Sequence, residues 1–79
     1  MQVTLSRTAA KALRRMPRTD ANALLAKLDL WATTGQGDVR PLSGASGLFR
    51  LRHGDWRAVF EVREGVLVLL IAHRREVYR

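Results

Sequence analysis

The sequence predicts a small α+β domain: two antiparallel helices on one face of a mainly antiparallel sheet, in the order β-α-α-β-β-β. Three observations predict it. Residues 48–78 contain three runs rich in Val, Leu, Ile and aromatics, parted by short polar turns at Gly54 and Gly65, which is the pattern of consecutive β-hairpins. Two earlier stretches carry apolar residues at helical spacing and are separated by Pro17. The chain has 79 residues, 47% apolar and 27% charged, so residues 1–79 make one domain that buries roughly 60% of its unfolded surface around a thin core.

Residues 2–5 alternate weakly and read as a short first strand ending at Ser6, a good N-cap. The stretch from Arg7 to Met16 is rich in Ala, Leu, Lys and Arg, and Ala9, Leu13 and Met16 form a narrow apolar stripe. Pro17 ends this helix. Thr19 or Asp20 can cap a second helix, whose apolar positions are Ala21, Leu24, Leu28 and Trp31, and Gly35 is placed to close it. Residues 38–42 begin extended structure, and the loop Ser43-Gly44-Ala45-Ser46-Gly47 leads into the hairpins. The last run, Val66 to Ala72, is apolar on both parities, as expected of a central strand covered on both faces. Trp31 and Trp56 fall on apolar stripes and belong to the core.

Composition narrows the chemistry. With no Cys there is no disulfide framework and no thiolate, and two His cannot complete a tetrahedral zinc site alone. Neither a metal nor another cofactor is expected. The longest apolar run has seven residues, against about 20 for a membrane-crossing helix, and the N-terminus lacks a signal-peptide hydrophobic region. The expected location is therefore the compartment of synthesis, the cytoplasm.

Net charge is +7, and 12 of the 14 basic residues are Arg, whose planar fork grips phosphate where Lys acts as a point charge. A polyanionic partner follows. The excess is spread along the chain, +4 in residues 1–47 and +3 in residues 48–79, so it is not a disordered basic tail. Arg7, Lys11, Arg14 and Arg18 recur at i, i+4, i+7 and i+11 as a ridge on the first helix. It is either a solvated surface or a second phosphate-contacting one.

The hairpins concentrate the rest. A period-2 backbone places Arg50 and Arg52 on one face, and the register that sets apolar against apolar puts Arg57 beside them. Like charges do not converge for stability alone. The closing segment, His73-Arg74-Arg75-Glu76-Val77-Tyr78, adds two more arginines and a phenol.

Taken in order, the opening strand with its basic Ala-rich helix, the Leu42-to-Gly47 approach, Phe49-Arg50-Leu51-Arg52, Gly54-Asp55-Trp56-Arg57 and the closing His73-to-Tyr78 motif resemble the RelE/ParE superfamily of bacterial toxins. The resemblance covers nearly the whole chain. It implies a microbial RNase-like fold and, in the RelE branch, cleavage of messenger RNA in the ribosomal A site. It also implies a cognate antitoxin as partner, with the complex binding operator DNA through that antitoxin. By the same resemblance Arg50 and Arg52 bind substrate, and Arg57, Arg74 and Tyr78 are catalytic. The strand positions are Lys in some members and Arg here, and a guanidinium does not readily give up a proton.

Elementary chemistry agrees. Cutting RNA by attack of its own 2′-hydroxyl needs a proton acceptor, cations against the phosphoryl oxygens and an in-line geometry, and needs no metal. Tyr78 is the best base candidate; its reference pKa is about 10 and neighbouring guanidinium groups lower it. Alternatively its ring stacks on a base or plugs the packing. His53 reads as a turn residue and His73 as structural, although an imidazole titrates near neutrality and either can serve as acid. Two rival functions remain: a ParE-like toxin that acts on DNA gyrase through protein contacts, and a plain RNA-binding module, which lacks the exposed aromatic platform usual for single strands.

Overall fold

The structure, a computed structural model, describes residues 1–42, 44 and 47–77. Strand β1 (Val3–Leu5) runs into α1 (Arg7–Arg15) and α2 (Arg18–Thr34), and strands β2 (Val39–Pro41), β3 (Leu48–His53), β4 (Trp56–Val62) and β5 (Val66–His73) follow. A single turn of helix, α3 (Arg74–Val77), comes last. The strands form one sheet in the order β1-β5-β4-β3-β2. Only β1 with β5 is parallel; the other three pairings are antiparallel. The α+β class holds, and the extended stretch expected at residues 38–42 forms a fifth strand: β2 extends the sheet edge beside β3, where Pro41 lacks only an N–H that an edge strand can spare.

Ser6 knits the N-terminal half to the sheet. Its Oγ accepts from the Ala9 N–H at 3.0 Å, capping α1, and donates to the Leu69 carbonyl at 2.8 Å. Pro17 separates the helices as expected, but the cap of α2 differs. Its N-cap is Pro17, with no side-chain cap bond, and Asp20 in the first turn reaches across to His53 Nε2 at 3.2 Å. A carboxylate there still complements the helix dipole while tying α2 to the sheet. Gly35 closes α2 with φ of 77°, a left-handed conformation that favours glycine.

Both helices bury one stripe against the same sheet face. Ala9, Leu13 and Met16 join Ala21, Leu24, Leu28 and Ala32 over Leu51, Ala58, Phe60, Val66, Val68 and Ile71. Trp31 and Trp56 pack against this core, Trp31 lying 5.0 Å from the ring of Phe60. Full burial of a Leu or Phe side chain stabilises by about 1.5–3 kcal/mol, so Phe60, Leu24, Leu28 and Leu51 dominate the thin core.

Strand β5 departs from the expectation of cover on both faces. Val59 pairs with Leu70 but Phe60 pairs with Val68, so Leu69 is an extra residue. This bulge shifts the side-chain parity. Ile71 joins Val66 and Val68 inside, whereas Leu67 and Leu70 stand 37% and 39% exposed on the face away from the helices. The Ser6 hydroxyl satisfies the carbonyl of the extra residue. The basic ridge is also interrupted, because Arg18 begins α2 and only Arg7, Lys11 and Arg14 share one helical phase. No helix of the described residues is long and apolar enough to cross a membrane.

Candidate active site

Strand register sets the site. Arg50 lies opposite Arg40 on one side and Val59 on the other, and Arg52 lies opposite Arg57. Cross-strand partners share a face, so these arginines occupy the face that the helices leave open. Arg52 Nε lies 3.1 Å from Asp38 Oδ2, and Arg40 Nε lies 3.9 Å from Asp38 Oδ1. Among the described residues no carboxylate stands within ion-pair range of half-buried Arg50 or of Arg57.

Arg57 is 7% exposed. Its Nη1 donates to the carbonyls of Gly54 at 3.0 Å and Trp56 at 3.1 Å, and its Nε is buried without a hydrogen-bond partner among the described residues. Withdrawing a cation from water costs several kcal/mol unless an opposite charge accompanies it. Among the described residues Arg57 is thus a buried cation with two carbonyl partners and no ion pair.

The turn between β3 and β4 gathers the remaining groups. Gly54 adopts φ of 56°, the positive value that a two-residue hairpin turn demands, and Asp55 follows it. The Asp55 carbonyl accepts from the Arg74 N–H at 2.6 Å, and its carboxylate faces Arg74 Nη1 at 3.7 Å and His73 Nε2 at 3.9 Å. His73 Nδ1 accepts from the Arg75 N–H at 3.3 Å. The imidazole nitrogen thus accepts a backbone N–H in the first turn of α3. Trp56 meets that ring edge-on at 5.2 Å. Asp55, Trp56, His73, Arg74 and Arg75 line an open cleft of about 910 Å³.

Arg50, Arg52 and Arg57 are thus brought to one face, and Arg57 and Arg74 are both fastened to the Gly54–Asp55 turn. Arg50 and Arg52 do not line the cleft beside Arg74; they stand on the adjoining sheet face. Tyr78 lies outside the described residues. Sequence reasoning missed Asp55, the residue that holds Arg74, although an acid in a hairpin turn between basic strands was the available signal. It also missed Asp38, which steadies Arg52. Among the described residues no three of His, Cys, Asp and Glu are placed to hold a metal ion.

Residues 3–78 match the family described as ParE toxin of type II toxin-antitoxin system, parDE. Among curated proteins no sequence match is found. The fold is similar to a chain of the RelB-RelE antitoxin-toxin complex of Methanococcus jannaschii, at TM-score 0.81 and 18% identity over 95% of this chain and 94% of that one. It is similar to a chain of the toxin-antitoxin complex RelBE2 of Mycobacterium tuberculosis, at TM-score 0.76 and 24% identity over 92% and 96%. YafQ of Escherichia coli superposes with TM-score 0.74 at 14% identity over 99% and 98%.

Proposed function

The chain belongs to the ParE toxin family of type II toxin-antitoxin systems, within the RelE/ParE superfamily, and on that premise we propose that it arrests translation by cutting messenger RNA in the ribosomal decoding site. The 2′-oxygen attacks the adjacent phosphorus, the O2′–P bond forms and the P–O5′ bond breaks. The 2′-hydroxyl proton passes to a base, O5′ takes up a proton from solvent water, and the products end in a 2′,3′-cyclic phosphate and a 5′-hydroxyl. Tyr78 is the proposed base. Arg50, Arg52 and Arg57 hold the phosphate and neutralise charge on its non-bridging oxygens, and Arg74 supports the leaving oxygen. Guanidinium groups suit this task because they stay charged while presenting paired donors.

The observation that carries the reading is Arg57, a cation 7% exposed with an unpartnered Nε and no carboxylate among the described residues, directly across from Arg52. A bound phosphate offers these guanidinium groups an opposite charge. The test uses messenger-programmed ribosomes and, separately, naked RNA. Wild-type protein is expected to cut only on ribosomes, and Arg74→Ala and Tyr78→Phe to abolish cutting with the fold intact. Normal cutting by both variants removes the roles assigned to them.

The same face is proposed as the surface an antitoxin covers. Leu67 and Leu70 are exposed on that face two strands from Arg50 and Arg52, so an acidic amphipathic segment crossing the sheet finds both apolar anchors and opposite charge. The M. jannaschii and M. tuberculosis relatives are themselves parts of toxin-antitoxin complexes.

A second reading is inhibition of DNA gyrase by protein contact, and it is favoured by the ParE description of the family that matches. Overproduction separates the two: blocked translation supports the nuclease, and DNA damage with filamentation supports the gyrase inhibitor.

A further inference from the structure

The carboxylates that pair with arginines all lie on the sheet side of the molecule: Asp38 with Arg40 and Arg52, Glu61 with Arg63, Asp55 with Arg74. Helix α1 has no acidic residue, and among the described residues no carboxylate lies within ion-pair range of Arg7, Lys11, Arg14 or Arg15. All four are exposed. At about 100° per residue, Arg7, Lys11 and Arg14 cluster on the side of α1 turned mostly away from Ala9 and Leu13, the residues it buries against the sheet. The ridge therefore faces the opposite side of the molecule from Arg50 and Arg52.

We infer that the outer face of α1 is a second nucleic-acid site, which grips the phosphate backbone of double-helical RNA independently of the strand on the sheet. Three features select that ligand. The ridge carries Arg and Lys with Thr8 beside them and no exposed apolar residue, so it lacks the buried anchors that a protein interface needs. The apolar side of α1 is already consumed by the sheet, which rules out lying in a membrane surface. No aromatic stands on it for bases to stack upon, as single-strand sites require. Backbone phosphates need only the charges. The choice of RNA over DNA rests on the proposed function; the ridge itself does not depend on cleavage.

The test is fluorescence anisotropy of a labelled 16-base-pair RNA duplex between 50 and 200 mM KCl, roughly the range over which phosphate contacts dominate affinity. Replacing Arg7, Lys11 and Arg14 together by Gln is expected to lower affinity at least tenfold and to flatten the slope of log K against log salt by about 2.7, near 0.9 per phosphate contact. Replacing Arg50 and Arg52 by Gln is expected to flatten that slope less than the ridge variant does. Three results overturn the inference: no duplex binding by wild-type protein at low salt, an unchanged slope in a folded ridge variant, or a loss that follows only the sheet-face variant. Tighter, ridge-dependent binding to the matching DNA duplex overturns the assignment to RNA. Because binding is read without cutting, a failed cleavage assay sinks the nuclease reading alone.

Discussion

Replacing Arg57 by Met separates stability from catalysis at the residue on which the functional reading leans hardest. Two terms oppose each other in the fold. The variant loses the hydrogen bonds from Nη1 to the Gly54 and Trp56 carbonyls, at 3.0 and 3.1 Å, each worth about 1.5–3 kcal/mol when the donor is charged. It also no longer withdraws from water a cation that has no carboxylate partner among the described residues, which costs several kcal/mol for a side chain only 7% exposed. Met fills much the same volume, so no large cavity opens. The terms offset to within about 2 kcal/mol, and urea unfolding should show a change no larger than that. Cutting behaves differently. A donor aimed at developing phosphoryl charge is worth about 10²–10³ in rate, so cleavage on programmed ribosomes should fall by that factor in the folded variant. Retention of cutting within threefold refutes the role of Arg57 as a phosphate holder and leaves it as a clamp on the turn. Destabilisation of the variant by much more than about 2 kcal/mol refutes the claim that burying this charge costs the fold stability.

Three further outcomes follow from the geometry. Arg50→Gln should reduce ribosomal cutting by about 10- to 100-fold, the worth of one to two charged contacts, with no change in urea midpoint because Arg50 has no carboxylate partner among the described residues. Ser6→Ala removes the α1 cap and strands the Leu69 carbonyl, and should cost about 2–3 kcal/mol in urea unfolding, with Ser6→Thr recovering most of it. Gly65→Ala places a Cβ 2.9 Å from the Gln2 carbonyl oxygen, which also accepts from the Val66 N–H at 2.8 Å; amide exchange should show β1 loosening from β5 before the rest of the sheet.

What was legible in the sequence was local. Alternation in residues 48–62 exposed the hairpin and the shared face of Arg50, Arg52 and Arg57, because side-chain parity follows from the backbone alone. Ser6 and Gly35 are chemically committed to capping, and they cap. What escaped depends on partners distant in the chain. The Leu69 bulge is paired with a hydroxyl 63 residues earlier, and nothing near Leu69 marks it, so the parity of Leu70 and Ile71 was misread. Residues 38–42 read as extended and do contain β2, but three residues carry too little periodicity to show that the strand pairs with β3. Pro17 displaced the expected cap on Thr19 or Asp20 because the ring already sets the backbone for the first turn, which freed Asp20 for His53. The burial of Arg57 and the hold of Asp55 on Arg74 are properties of the assembled turn.

The most direct test of the account is the fate of a ribosome-bound messenger carrying a single 2′-deoxy nucleotide on the 5′ side of the phosphate that is cut in the all-ribose messenger. The account predicts that cutting at that phosphate stops while the ribose control yields a 2′,3′-cyclic phosphate and a 5′-hydroxyl. Cutting that persists at the deoxy position, or an all-ribose messenger left intact while translation is blocked, contradicts it.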